Sequence, residues 1–128
     1  EYMKWSLRQL LKYTQKPYEF EEKYDFCEYI NGIDDIIDIS EFYVKGTAIH
    51  LLDNRFEFHL SIKGELTLQD ARTLEPIAYP ISLNVVEVFD KVMGEDEDVR
   101  IIEKNTIDLY DVVWENILLE KPIRVVKE

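Results

Sequence analysis

A single cysteine, Cys27, rules out an internal disulfide and a multi-cysteine metal cage. Glycine is equally sparse. The four, Gly32, Gly46, Gly64 and Gly94, stand too far apart for a phosphate-cradling loop or a dinucleotide fingerprint. There is no Gly-x-Ser-x-Gly elbow, no low-complexity run, no internal repeat and no Ser/Gly-rich linker. No apolar run approaches the roughly 20 residues that cross a bilayer, and Glu1 to Leu10 carries no apolar stretch of signal-peptide type. Positive charge is short as well: 15 Lys and Arg face 27 Asp and Glu, a net of −12. Such a field repels phosphate, so a broad direct RNA interface is not expected, and a basic protein partner is electrostatically easier. The same acidity also serves solubility alone.

What is present suits a globular protein: 46% of the 128 residues are hydrophobic and 12% aromatic. A chain of this length can bury roughly two-thirds of its unfolded surface. We read one domain over residues 1–128, in a reducing cytoplasm.

Residues 6 to 15 read as a short helix. Ser6 and Gln9 form a capping box, and Trp5 with Leu10 occupies the positions of a hydrophobic staple. Pro17 ends it. Tyr18 to Phe26 reads as an aromatic strand, Asn31-Gly32 as a turn, and Ile33, Ile36 and Ile37 as a single helical turn. Glu41 to Leu52 alternates in part, and Asp53-Asn54 suits a hairpin.

The clearest signal follows. Phe56, Phe58, Leu60, Ile62, Leu66 and Leu68 share one parity, and His59, Lys63 and Glu65 the other. That is a strand with one core face and one wet face. Straight, it would span about 40 Å, so it has to bend, and Gly64 is the expected bulge. Ile77 to Val85 resumes alternation. Val85-Val86 breaks it, which predicts a second bulge, and Pro80 belongs at an edge or a bulge. Val99 to Glu103 reads as a short strand. A last helix starts at Asn105 or Thr106, carries Ile107, Tyr110, Val113, Trp114, Ile117 and Leu118 on one face, and stops at Pro122. The fold class is therefore α+β: a curved, barrel-like, mainly antiparallel sheet with a short N-terminal helix and a C-terminal helix packed on it.

The chemistry-bearing residues are few. His50 and His59 could approach across the hairpin, but zinc needs about three or four ligands and no further ones are in view, so surface histidines are expected. Cys27 has no local nucleophile signature and reads as a partly buried thiol. The acidic run Glu95 to Asp98 lacks a calcium-loop pattern and reads as solvated. Arg72 stands out, in a turn between two apolar strands. Its guanidinium could clamp a carboxylate or a phosphate. The other reading is an internal pair with Asp70 or Glu75 that shapes the turn.

The stretch Gly64-Glu65-Leu66-Thr67-Leu68-Gln69-Asp70-Ala71-Arg72-Thr73-Leu74-Glu75-Pro76, with Tyr79-Pro80 after it, resembles the central motif of the YceD-like family. Met3-Lys4-Trp5-Ser6-Leu7 resembles the start of Gram-positive members, and Ile107-Asp108-Leu109 through Lys121-Pro122-Ile123 their late segment. The resemblance implies a non-catalytic role in the accumulation of large-subunit ribosomal RNA, without a cofactor or metal. It also implies a ribosomal protein or the pre-ribosomal large subunit as partner. RNA contact is expected only indirectly, or through a polar tail of the kind many members carry. Arg72, Leu74 and Glu75 carry over as candidate binding residues, with Gly64 as backbone. Asp70 and Thr73 stand where members often have cysteines and complete the candidate set, so a metal or redox role of that pair does not transfer. Two other readings stand beside this one: a small hydrolase working through Asp70, Glu75 or His59, and an autonomous RNA-binding module.

Overall fold

The computed structural model describes residues 4–94 and 98–122. Along the chain come β1 (Lys4–Ser6), α1 (Leu7–Leu10), β2 (Tyr18–Tyr24) and a 3-10 turn at Cys27–Ile30. Next are β3 (Ile36–Ile39), β4 (Phe42–Leu52), β5 (Arg55–Gln69) and β6 (Pro76–Asp90). Last are β7 (Arg100–Ile101), β8 (Thr106–Asp108) and α2 (Tyr110–Glu120). The fold is α+β. The main sheet runs β2-β4-β5-β6-β7, with β3 also paired to β5, and β1 pairs with β8 in a second, two-stranded sheet. The expected barrel-like closure is absent among the described residues, because the main path is open from β2 to β7.

Parity governs the core. Phe56, Phe58, Leu60, Ile62, Leu66 and Leu68 of β5 are all buried, as the alternation requires. Neither expected bulge exists. Pairing of β5 with β6 runs without a shift from Phe56↔Phe89 to Gln69↔Pro76. Register shifts lie instead between Ile36 and Asp38 and between His50 and Leu52. At Val85-Val86 the backbone keeps its alternation and the chemistry departs from it. Glu87 takes an inward position between Val85 and Phe89, while Val86, 54% exposed, faces out.

Gly64 marks a handover rather than a bulge. One side of β5 pairs with β4 up to Lys63 and with β3 from Leu66. The ring of Phe42 fills the place of the missing side chain, since a Cβ on Gly64 would sit 2.6 Å from ring carbons. Gly46 repeats the device. Its Cβ would meet the His59 carbonyl oxygen at 2.7 Å and the Phe20 ring at 2.9 Å. Each glycine makes room for an aromatic ring from elsewhere in the fold.

The helices differ from expectation for local reasons. The capping box forms, but α1 spans only Leu7–Leu10. Beyond it, the His50 N–H donates to the Tyr13 carbonyl and the His50 ring meets the Leu11 carbonyl, drawing residues 11–13 onto β4. The helical turn expected at Ile33, Ile36 and Ile37 does not form: residues 34–35 make a turn, and Ile36–Ile39 is drawn into a strand paired with β5. The last helix starts later than expected. Ile107 is held opposite Trp5 in β8, and Asp108 Oδ1 accepts the Tyr110 N–H at the start of α2. Pro122 follows the C-cap Lys121.

Two aromatic clusters fill the interior. Trp5 packs on Phe20 and Phe58, and Phe26 on Tyr24, Tyr110 and Trp114. Tyr24 is 1% exposed, and its hydroxyl has no hydrogen-bond partner among the described residues. Burial first, then the charges of Asp108 and Glu22 and the phenol of Tyr110, push its pKa far above the ordinary 10.0. An unsatisfied buried hydroxyl costs roughly 1–3 kcal/mol. Tyr24→Phe is therefore expected to stabilise the fold by about 1 kcal/mol in urea titration. The sign at high pH follows from the raised folded-state value. Stability from the neutral phenol is present below the ordinary 10.0 and is lost as pH rises above it, in the wild type and not in the variant.

Candidate functional site

The corner between β5 and β6 is built around one buried carboxylate. Asp70 is 1% exposed. Its Oδ1 accepts the backbone N–H groups of Arg72 at 2.7 Å and Thr73 at 2.9 Å. Its own N–H donates to the Glu75 carbonyl at 2.8 Å, and its carbonyl accepts the Leu74 N–H at 2.9 Å. Thr73 Oγ1 accepts the Glu75 N–H at 3.3 Å. Leu74 closes the turn in the left-handed region, φ +66°, at a cost of roughly 1–2 kcal/mol for a non-glycine residue. It is also 63% exposed. An apolar side chain is thus held outward on a backbone fixed from both ends.

The five candidate residues meet here in two roles. Arg72, Thr73, Leu74 and Glu75 are exposed, while Asp70 lies beneath them as their anchor. Among the described residues no ion pair ties the Arg72 guanidinium to Asp70 or Glu75. The turn is shaped through the Arg72 backbone, and its charge is left to solvent. Asp70 and Thr73, at the positions where the resemblance places cysteines, hold the corner by hydrogen bonds. Asp70→Ala is expected to destabilise the protein by about 1–2 kcal/mol through the two backbone donors it orphans. Asp70→Asn, which keeps an acceptor oxygen, should recover much of that loss in denaturant titration.

The histidines do not join this corner. His59 Nε2 meets Glu57 Oε1 at 2.8 Å. His59 lies eleven positions before Asp70, roughly 35 Å of strand at about 3.3 Å per residue. His59 is therefore not brought beside Asp70 and Glu75. His50 stands opposite Phe56 and His59 opposite Thr47, so the two histidines do not meet either. The His50 ring nitrogens face the carbonyls of Leu11 and Asp53. No group of three His, Cys, Asp or Glu side chains among the described residues is placed to hold a metal. Cys27 is exposed rather than partly buried. A hydrogen bond to Asp25, with lesser help from burial and nearby carboxylates, pushes its thiol up and away from the reactive thiolate. Of the acidic run Glu95 to Asp98, only Asp98 lies within the described residues.

A polar cluster on the other half of β6 escaped the reading of motifs. Arg100 Nε donates to Glu87 Oε1 at 2.7 Å, and its guanidinium also donates to Glu115 Oε1 at 3.0 Å. Asn116 Nδ2 donates to Glu87 Oε2 at 2.8 Å and to the Val112 carbonyl at 2.9 Å. Burial alone would lower the Arg100 pKa, but the hydrogen bonds and charges of Glu87 and Glu115 outweigh it and hold the pKa above its usual value. The available signal was Glu87 itself, a carboxylate on the inward parity of an apolar strand.

These features define a small α+β protein that presents a pinned turn at the end of its central hairpin. No described helix is long and apolar enough to cross a membrane. The family model of the large ribosomal RNA subunit accumulation protein YceD matches residues 58–128, from β5 through the corner to α2 and beyond. The uncharacterized protein YlbN of Bacillus subtilis (strain 168) is 36% identical over 128 residues, covering 96% of this chain and 73% of that relative. The chain belongs to the YceD family. No solved structure matches it.

Proposed function

We propose that the protein is a non-catalytic cytoplasmic factor for large-subunit ribosomal RNA accumulation. It works as one unit over residues 1–128 by binding a ribosomal protein or the pre-ribosomal large subunit. The family name supports the process. The mode of action rests on one observation: the Asp70-anchored corner, which spends a buried carboxylate and a left-handed leucine on holding Arg72 and Leu74 in solvent. Preorganised display of this kind lowers the ordering cost of binding. With a net charge of −12, the partner's protein component is favoured over naked RNA.

The test is a pull-down from cell extract under rising salt. Large-subunit ribosomal proteins should be retained at low salt and released as ions screen the contact. Arg72→Glu with Leu74→Ala should reduce retention roughly ten-fold, as loss of an arginine anchor does at other interfaces. If no ribosomal protein is held at low salt, the reading fails.

A further inference from the structure

Among the described residues the outer edge of β6 is open. From Pro76 to Val88 no described strand pairs with the side opposite β5, and β7 covers only Phe89 and Asp90. The Ile102 N–H donates to the Asp90 carbonyl at 2.9 Å, so Asp90 points its backbone outward. By the two-residue repeat, Ser82, Asn84, Val86 and Val88 point theirs the same way. Pro80, which has no N–H to lose, falls in that set. Proteins usually blunt such an edge with a lysine, a proline or a bulge. Between Ile81 and Val88 there is none. The one charge there, Glu87, is turned inward to Arg100 and Asn116. Pro80 bounds the open stretch at one end and β7 at the other.

The surroundings select the occupant. Beside the upper half of this edge lies a groove of about 1180 Å³ between β6, β7, β8 and α2. Among the described residues six carboxylates line it against three cationic side chains, one of which, Arg100, is already held by Glu87 and Glu115. Two chains of net −12 would repel along this line, so a second copy is disfavoured. We propose that the β6 edge between Ile81 and Val88 takes an extended lysine- and arginine-rich segment of a partner protein as an added strand. Main-chain hydrogen bonds supply the affinity, and the acidic groove selects the basic side chains. This rests on the proposed reading of the protein as a binder of a basic ribosomal component, and gives that reading a second contact besides the corner.

The probe is a capped eight-residue peptide alternating lysine and valine, titrated into the full chain. It should bind in a salt-sensitive way and slow amide hydrogen exchange at Ser82, Asn84 and Val86. Methylating its alternate backbone nitrogens should weaken binding at least ten-fold, with the protein unchanged. A glutamate–valine counterpart should not bind. No binding, equal binding of the methylated peptide, or binding without slowed exchange at those amides would overturn the inference. So would a peptide-free dimer protecting the same amides, which would give the edge to a second copy. Retention of a ribosomal protein in the pull-down, with this edge left unprotected, would overturn the inference and leave the functional reading standing.

Discussion

Gly64→Ala is expected to destabilise the protein by about 3 kcal/mol, the upper range for forcing a methyl into a filled core. The added Cβ would stand 2.6 Å from the Phe42 ring, and Phe42 is 0% exposed, so the ring has nowhere to retreat. The position is also where β5 passes from β4 to β3, so a local shift would disturb both pairings. Thermal unfolding should show a midpoint about 10 °C lower. Phe42→Leu in the Gly64→Ala background should recover part of the loss, because the shorter side chain vacates the space. A drop below about 1 kcal/mol, or no recovery in the pair, would show that the ring does not fill that site.

Glu87→Ala is the second large effect. Its carboxylate accepts from Arg100 and Asn116 at once, and the Glu87 and Arg100 side chains are 15% and 29% exposed. Removing it leaves a partly buried guanidinium with only the more exposed Glu115, and Asn116 with only the Val112 carbonyl. Orphaning such a cation costs several kcal/mol when fully buried, and about 2–3 kcal/mol is expected at this exposure. Arg100→Ala combined with Glu87→Ala should cost less than the sum of the single changes, because the second removes the charge that the first left unpaired. Additive losses in denaturant titration would mean that the cluster is not coupled.

The outline of the fold was legible because the pattern was strong where packing is two-sided. The buried set of β5 follows from parity alone, the capping box of α1 from the Ser6–Gln9 spacing, and the helix stop from Pro122. Misreadings came where one residue answers to a partner far along the chain. Ile107 has the spacing of a helix but is drawn into a strand by Trp5. Gly64 looks like a bend only until the Phe42 ring is seen over it. Val85-Val86 looks like a bulge because the eye counts apolar residues, whereas Glu87 is the one turned inward. At the corner, Arg72 was visible as a charged residue in a turn. That Asp70 lies under it could not be read, since a buried aspartate and an exposed one are spelled alike. The edge of β6 left open among the described residues was invisible for the same reason: a strand's sequence does not say how many neighbours it has.

The pairing of β1 with β8 has a consequence in time. Lys4 lies opposite Asp108, so a seam only three residues long spans nearly the whole chain. Closing so long a loop is entropically slow, and contacts of this kind form late. A nascent chain emerging from its own ribosome can complete the β4–β5–β6 hairpins while Trp5 still waits for Ile107. That seam cannot close until Ile107 has been made.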